Sequence, residues 1–92
     1  MDPGSSIDTE LIEATILNLT TARGAEKTIC PSEVARHLAP DAWRPLMAPV
    51  REAAGRLQQQ GVIQITQGGA EVDIDSISGP IRLGIVHRQE SD

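Results

Sequence analysis

Apolar positions recur at helical spacing through the first two thirds of the chain and alternate at strand spacing in the last third. Leu11, Ile12, Thr15, Ile16, Leu19 and Ala22 make one helical stripe. Asp8 is the predicted N-cap, with Glu10 in the first turn, and Gly24 ends the helix. Leu17 falls off the stripe, on the side of Glu10 and Glu13. Thr28 and Ile29 predict a very short strand. Pro31 then suits a first helical position, because its missing N–H needs no partner there. Glu33, three residues after Cys30, can reach back to a free backbone N–H in a capping box. Val34, Ala35 and Leu38 give this short helix its apolar side, and Ala39-Pro40-Asp41 breaks it.

A third helical segment is predicted from about Trp43 to Gln60. Leu46, Val50, Ala53 and Leu57 fall on its core face, and Arg44, Ala48, Arg51, Gly55 and Gln58 on the opposite one. Pro45 fits the first turn, whereas Pro49 should kink the segment or restart it. Gly61 closes it. The period then changes. Val62-Ile63-Gln64-Ile65-Thr66 and Glu71-Val72-Asp73-Ile74-Asp75 alternate as two strands of a hairpin, turning at Gln67-Gly68-Gly69-Ala70. After Gly79-Pro80, the run Ile81-Arg82-Leu83-Gly84-Ile85-Val86 is a third strand, with Ile81, Leu83 and Ile85 on one side.

The order is helix, short strand, short helix, longer helix, hairpin, extra strand. It predicts a mainly α fold with a small antiparallel hairpin (α+β): a winged helix-turn-helix of three helices, a wing and an extra C-terminal strand. The hairpin should cover the end of the helical core and bury Ile63, Ile65 and Val72. A bare three-helix bundle would leave the alternation in 62–66 and 71–75 unexplained. The folded domain is expected over residues 7–86, with flexible tails at 1–6 and 87–92.

Composition narrows the function classes. At 92 residues the chain suffices for one small domain with a modest core. Trp43 is its only aromatic residue, so the core is aliphatic and no multi-ring platform for stacking single-stranded bases exists. Cys30 is the only cysteine, which excludes an intramolecular disulfide. The acidic, polar start lacks the pattern of a signal peptide, and no apolar run suits a bilayer; the expected compartment is the cytoplasm. The net charge is −5, but all eight Lys and Arg lie between Arg23 and Arg88. With seven acids, that stretch is +1. Acidity therefore does not exclude nucleic acid, although the basic excess that would favour it is missing.

Several runs together resemble a known family. They are Thr28-Ile29-Cys30-Pro31-Ser32-Glu33-Val34-Ala35-Arg36, Trp43-Arg44-Pro45-Leu46-Met47, Val50-Arg51-Glu52-Ala53-Ala54, Thr66-Gln67-Gly68-Gly69, Val72-Asp73 and Gly79-Pro80-Ile81-Arg82. In this order, across roughly residues 10–85, they are similar to a small bacterial family of unknown function. The resemblance implies a compact winged-helix-like fold and no activity.

The leading expectation for function is non-catalytic binding of double-stranded DNA through the third helix. In helix-turn-helix proteins the second helix of the pair enters the major groove, and a wing can touch a neighbouring groove. Here that helix carries Arg44, Arg51 and Arg56, and Gln58 and Gln59 can bond base edges or phosphates. Arg44, Arg51 and Gln58 are the expected contacts, with Arg36 and His37 on the backbone. Glu71, Asp73 and Asp75 oppose this reading if the second hairpin strand faces the duplex. The alternative is a protein-interaction or dimerisation module using Leu17 and the edge strand around Leu83. Catalysis has weak support. Cys30 and His37 form the one nucleophile–base pair to consider, and two helical turns separate them. Cys30, His37 and His87 lack zinc-ligand spacing, so no metal or cofactor is expected. Trp43 is expected as a buried anchor, in which case Trp43→Ala costs roughly 3–5 kcal/mol.

Overall fold

The first helix begins and ends where its side chains can satisfy exposed backbone groups. In the computed structural model, which describes residues 7–24 and 26–86, α1 spans Thr9–Arg23. The Asp8 carboxylate accepts the Leu11 N–H at 3.0 Å, and the Gly24 N–H closes onto the Thr20 carbonyl. The buried face is Ile12, Thr15, Ile16 and Thr20. Leu11 and Ala22 are exposed, so the buried stripe is rotated from the one predicted. Thr20 explains the rotation: its hydroxyl donates to the Ile16 carbonyl at 2.7 Å, and a satisfied hydroxyl can be buried where a free one could not.

The next helix, α2 (Pro31–Leu38), starts at Pro31 with Cys30 as its cap. Glu33 accepts the Cys30 N–H at 3.2 Å, the reach-back that their spacing predicts. The third helical segment divides in two. A 3-10 turn, η1 (Arg44–Leu46), gives way to α3 (Met47–Gln59). Pro49 falls in the first turn of α3, where no intrahelical donor is required, so the segment restarts rather than kinks.

Three strands form one antiparallel sheet in the order β2-β1-β3: β1 (Ile63–Gln67), β2 (Ala70–Glu71) and β3 (Arg82–Ile85). Gly68 and Gly69 carry φ of 62° and 88°, the left-handed pair that a tight hairpin turn demands. Ile29 joins the outer edge of β3 by exchanging both backbone hydrogen bonds with Leu83 at 2.8 Å.

The second hairpin strand is shorter than the alternation predicts. It stops at Glu71, and the chain turns through a second 3-10 element, η2 (Ile74–Ser76). The cause lies on α3. The Gln58 amide donates to the Val72 carbonyl at 2.6 Å and accepts the Ile74 N–H at 3.2 Å, drawing this stretch onto the helix. Val72 and Ile74 are half-buried against the core cluster, so their alternation serves helix packing rather than pairing.

The core lies between the helices and the inner face of the sheet. Ile16, Ile29, Val34, Val50, Leu57, Ile63, Ile65 and Leu83 form its fully enclosed centre. The architecture is α+β, three helices with a three-stranded antiparallel sheet. Among the described residues, no helix is long and apolar enough to cross a membrane. The tails expected at 1–6 and 87–92, and with them His87, lie outside the described residues.

Candidate nucleic-acid interface

The arginines separate by what holds them. Arg23 pairs with Glu33 at 2.7 Å, and Arg56 with Glu13 at 2.7 Å. Arg51 donates to the Gly79 carbonyl at 3.1 Å. Arg82 donates to the Thr28 hydroxyl and to Cys30 Sγ, both at 2.8 Å. Arg36 and Arg44 differ. Their guanidinium carbons lie 4.5 Å and 4.6 Å from the Trp43 ring centroid, within cation–π range. Among the described residues neither has a carboxylate within salt-bridge distance or a hydrogen-bond acceptor. Both are exposed, as is His37 beside Arg36 in the last turn of α2.

Local structure produces this cluster. Ala39-Pro40-Asp41 ends α2 and η1 starts the next segment, so Arg36 and Arg44 converge across the break on Trp43. Trp43 is half-buried and packs against the core cluster, so it is not the fully buried anchor expected. One ring both plugs the junction and orders two long cationic side chains. Sequence reading missed this because the residues straddle a helix break, where no periodicity links them.

Other predicted contacts sit elsewhere. Arg51 and Gln58 are half-buried and hydrogen-bonded to residues 72–79, which lie along this face of α3. A Cβ added to Gly55 would lie 3.0 Å from Ile74 Cγ2. The exposed residues of α3 are Ala48, Glu52 and Gln59. Glu71 at the end of β2, and Asp73 and Asp75 on the covering segment, are all exposed. Leu83 is fully buried, 0% exposed, so its side chain belongs to the core. Leu17 is half-buried and lines a shallow concavity with Thr21, Gly61, Val62, Ile85 and Val86.

Cys30 and His37 stand at opposite ends of α2. Partial burial alone would raise the Glu33 pKa, but three groups outweigh it: the Cys30 N–H, the bonded Arg23 guanidinium and the nearby Arg82 charge. Together they hold this carboxyl below its usual range. Among the described residues, no group of three or more His, Cys, Asp or Glu gathers to hold a metal ion.

A family model described as "Protein of unknown function (DUF3253)" matches residues 9–86, from the start of α1 to just past β3. The chain belongs to this family. No match was found among curated proteins. The matched span contains every described element of the DUF3253 domain, including the Arg36–Trp43–Arg44 cluster and the segment lying over α3.

Proposed function

We propose that this DUF3253 domain is a non-catalytic winged-helix module that binds duplex DNA by its phosphate backbone. Three features support the winged-helix reading. Two helices meet at a short break, a hairpin follows the second directly, and Ile29 extends the sheet at β3. The binding surface is the junction of α2 and η1, with Arg36, His37 and Arg44 as phosphate contacts and Trp43 as their support. One observation carries this reading: Arg36 and Arg44 are ordered on Trp43 without an acidic partner, whereas Arg23, Arg51, Arg56 and Arg82 are tied to the chain itself. Cations held ready in this way lose little freedom when they meet a phosphate.

Trp43 supplies the test. It is the only aromatic residue, so its fluorescence reports on this surface alone. Titrating a random-sequence duplex at low salt should change that emission along a saturable curve. Arg36→Ala/Arg44→Ala should abolish the response while keeping the circular dichroism of the folded domain. No response at high micromolar protein would refute the reading, because non-specific affinity is visible there.

A second reading, protein interaction or dimerisation, draws on the concavity of about 380 Å³ around Leu17, Val62, Ile85 and Val86. Under it, Leu17→Asp would shift the sedimentation coefficient toward that of the lone chain and leave DNA titrations unchanged.

A further inference from the structure

We propose that residues 72–79 act as a strap that masks a base-reading face on α3, so that the closed domain grips DNA only by phosphates. The inference rests on the duplex-binding reading above. It concerns a different face of the molecule, and therefore has its own test.

The masked face consists of Arg51, Gly55 and Gln58, one turn apart along α3. Guanidinium and carboxamide groups are the side chains that pair two-point with guanine and adenine edges in the major groove. A glycine between them allows close approach. In the closed structure each is occupied. Gln58 donates to one backbone carbonyl, Val72, and accepts from one backbone N–H, Ile74. That is the one-acceptor, one-donor pattern which adenine presents to a glutamine in the major groove. The strap thus stands in for a base edge. Arg51 is held by the Gly79 carbonyl, and Ile74 fills the space over Gly55. Asp73 and Asp75 point their charge to solvent from the same segment, so a phosphate approaching closed α3 meets repulsion as well as a steric block.

The strap is also built to lift. None of residues 72–79 is buried; Val72, Ile74 and Ile77 are half-buried and the others exposed. Only the Val72 N–H, donated to the Ile65 carbonyl, continues the sheet bonding beyond β2. The remaining ties to the body of the domain are the half-buried packing of Val72, Ile74 and Ile77 against the core cluster and side-chain hydrogen bonds: Gln58, Arg51 and the Gln67 amide, which donates to the Ser78 and Pro80 carbonyls. A segment with few buried contacts opens locally at far lower cost than global unfolding.

The test loosens the strap from its own side. Ile74→Ala removes the contact over Gly55, and Asp73→Ala removes the carboxylate that accepts the Asp75 N–H and shapes the turn. Hydrogen exchange at residues 72–79 is measured together with affinity for a random-sequence duplex. Exchange in the strap should accelerate in both variants while α1 stays protected. Affinity should rise about tenfold in Ile74→Ala, which leaves the charge of the strap unchanged, as when a minor binding-competent form becomes the major one. Adding Arg51→Ala or Gln58→Ala should cancel that gain. Faster exchange with unchanged affinity would overturn the strap, as would exchange that neither variant alters. Wild-type protein that ignores DNA beside an Ile74→Ala variant that binds it would overturn phosphate gripping at Arg36 and Arg44 and leave the strap standing.

Discussion

Trp43 shows how one residue can be at once structural and presented. A fully buried tryptophan lost to alanine costs roughly 3–5 kcal/mol. Here the ring is half-buried, and the guanidinium groups of two arginines lie over it. Trp43→Ala should therefore cost about 2 kcal/mol in urea denaturation, and Trp43→Phe less than half of that. Glu33 makes the complementary case for charge. Its folded-state pKa lies below the unfolded value, so its contribution is fully present above pH of about 4.3 and disappears as pH falls through the lower folded value. Glu33→Gln should lower stability at neutral pH and flatten the acid limb of the stability–pH curve, as followed by chemical denaturation across pH 2–7. An unchanged acid limb would mean that other carboxylates set it. The Cys30–Glu33 bond was legible in the sequence because it closes within one turn. The Arg23–Glu33 pair was not, because ten residues and a bridge to β3 separate its partners.

At the level of elements, local signals survived and packing-dependent ones did not. Asp8, Pro31 and the Gly68-Gly69 turn act on their immediate neighbours, and each stands where the pattern put it. The alternation in 71–75 failed because a period of two records only that Val72 and Ile74 face the same side. Whether that side meets a strand or a helix depends on Gln58, fourteen residues earlier. The outward face of the third helix depends on the same kind of distant contact. Periodicity gives its core face correctly at Val50, Ala53 and Leu57, but cannot show that a later segment lies over Arg51, Gly55 and Gln58. Leu83 belongs to this scale too. It pairs with Ile65 on one side and Ile29 on the other, and its side chain is fully enclosed in the core. Leu83→Asp should therefore unfold the domain rather than dissociate a complex, since an unpaired buried carboxylate costs several kcal/mol against a total stability of about 5–15 kcal/mol. Loss of the cooperative thermal transition is the expected result. A folded, monomeric Leu83→Asp protein would return the edge-strand interface to consideration.

For the whole molecule, the sign of the net charge matters less than its placement. The chain carries −5, yet Arg36 and Arg44 stand together at the α2–η1 junction, while Asp73 and Asp75 stand on the segment over α3 and Glu71 just before it in β2. On the duplex-binding proposal, a duplex approaching this molecule would be drawn to one surface and repelled from another, which would orient it before any contact forms. Repulsion from the acidic side weakens the overall attraction but releases no counterions from DNA, so the salt dependence counts the cationic contacts alone. Each neutralised phosphate contributes about 0.9 to the log–log slope of affinity against salt. Arg36→Ala and Arg44→Ala should each reduce that slope by about 0.9, and the pair by about 1.8, if each guanidinium meets one phosphate. Asp73→Asn/Asp75→Asn should instead raise affinity at low salt with little change in slope. Anisotropy titrations over several salt concentrations separate the two effects. A slope that Arg36→Ala/Arg44→Ala leaves intact would move the contact surface away from Trp43, to whichever cations still carry it.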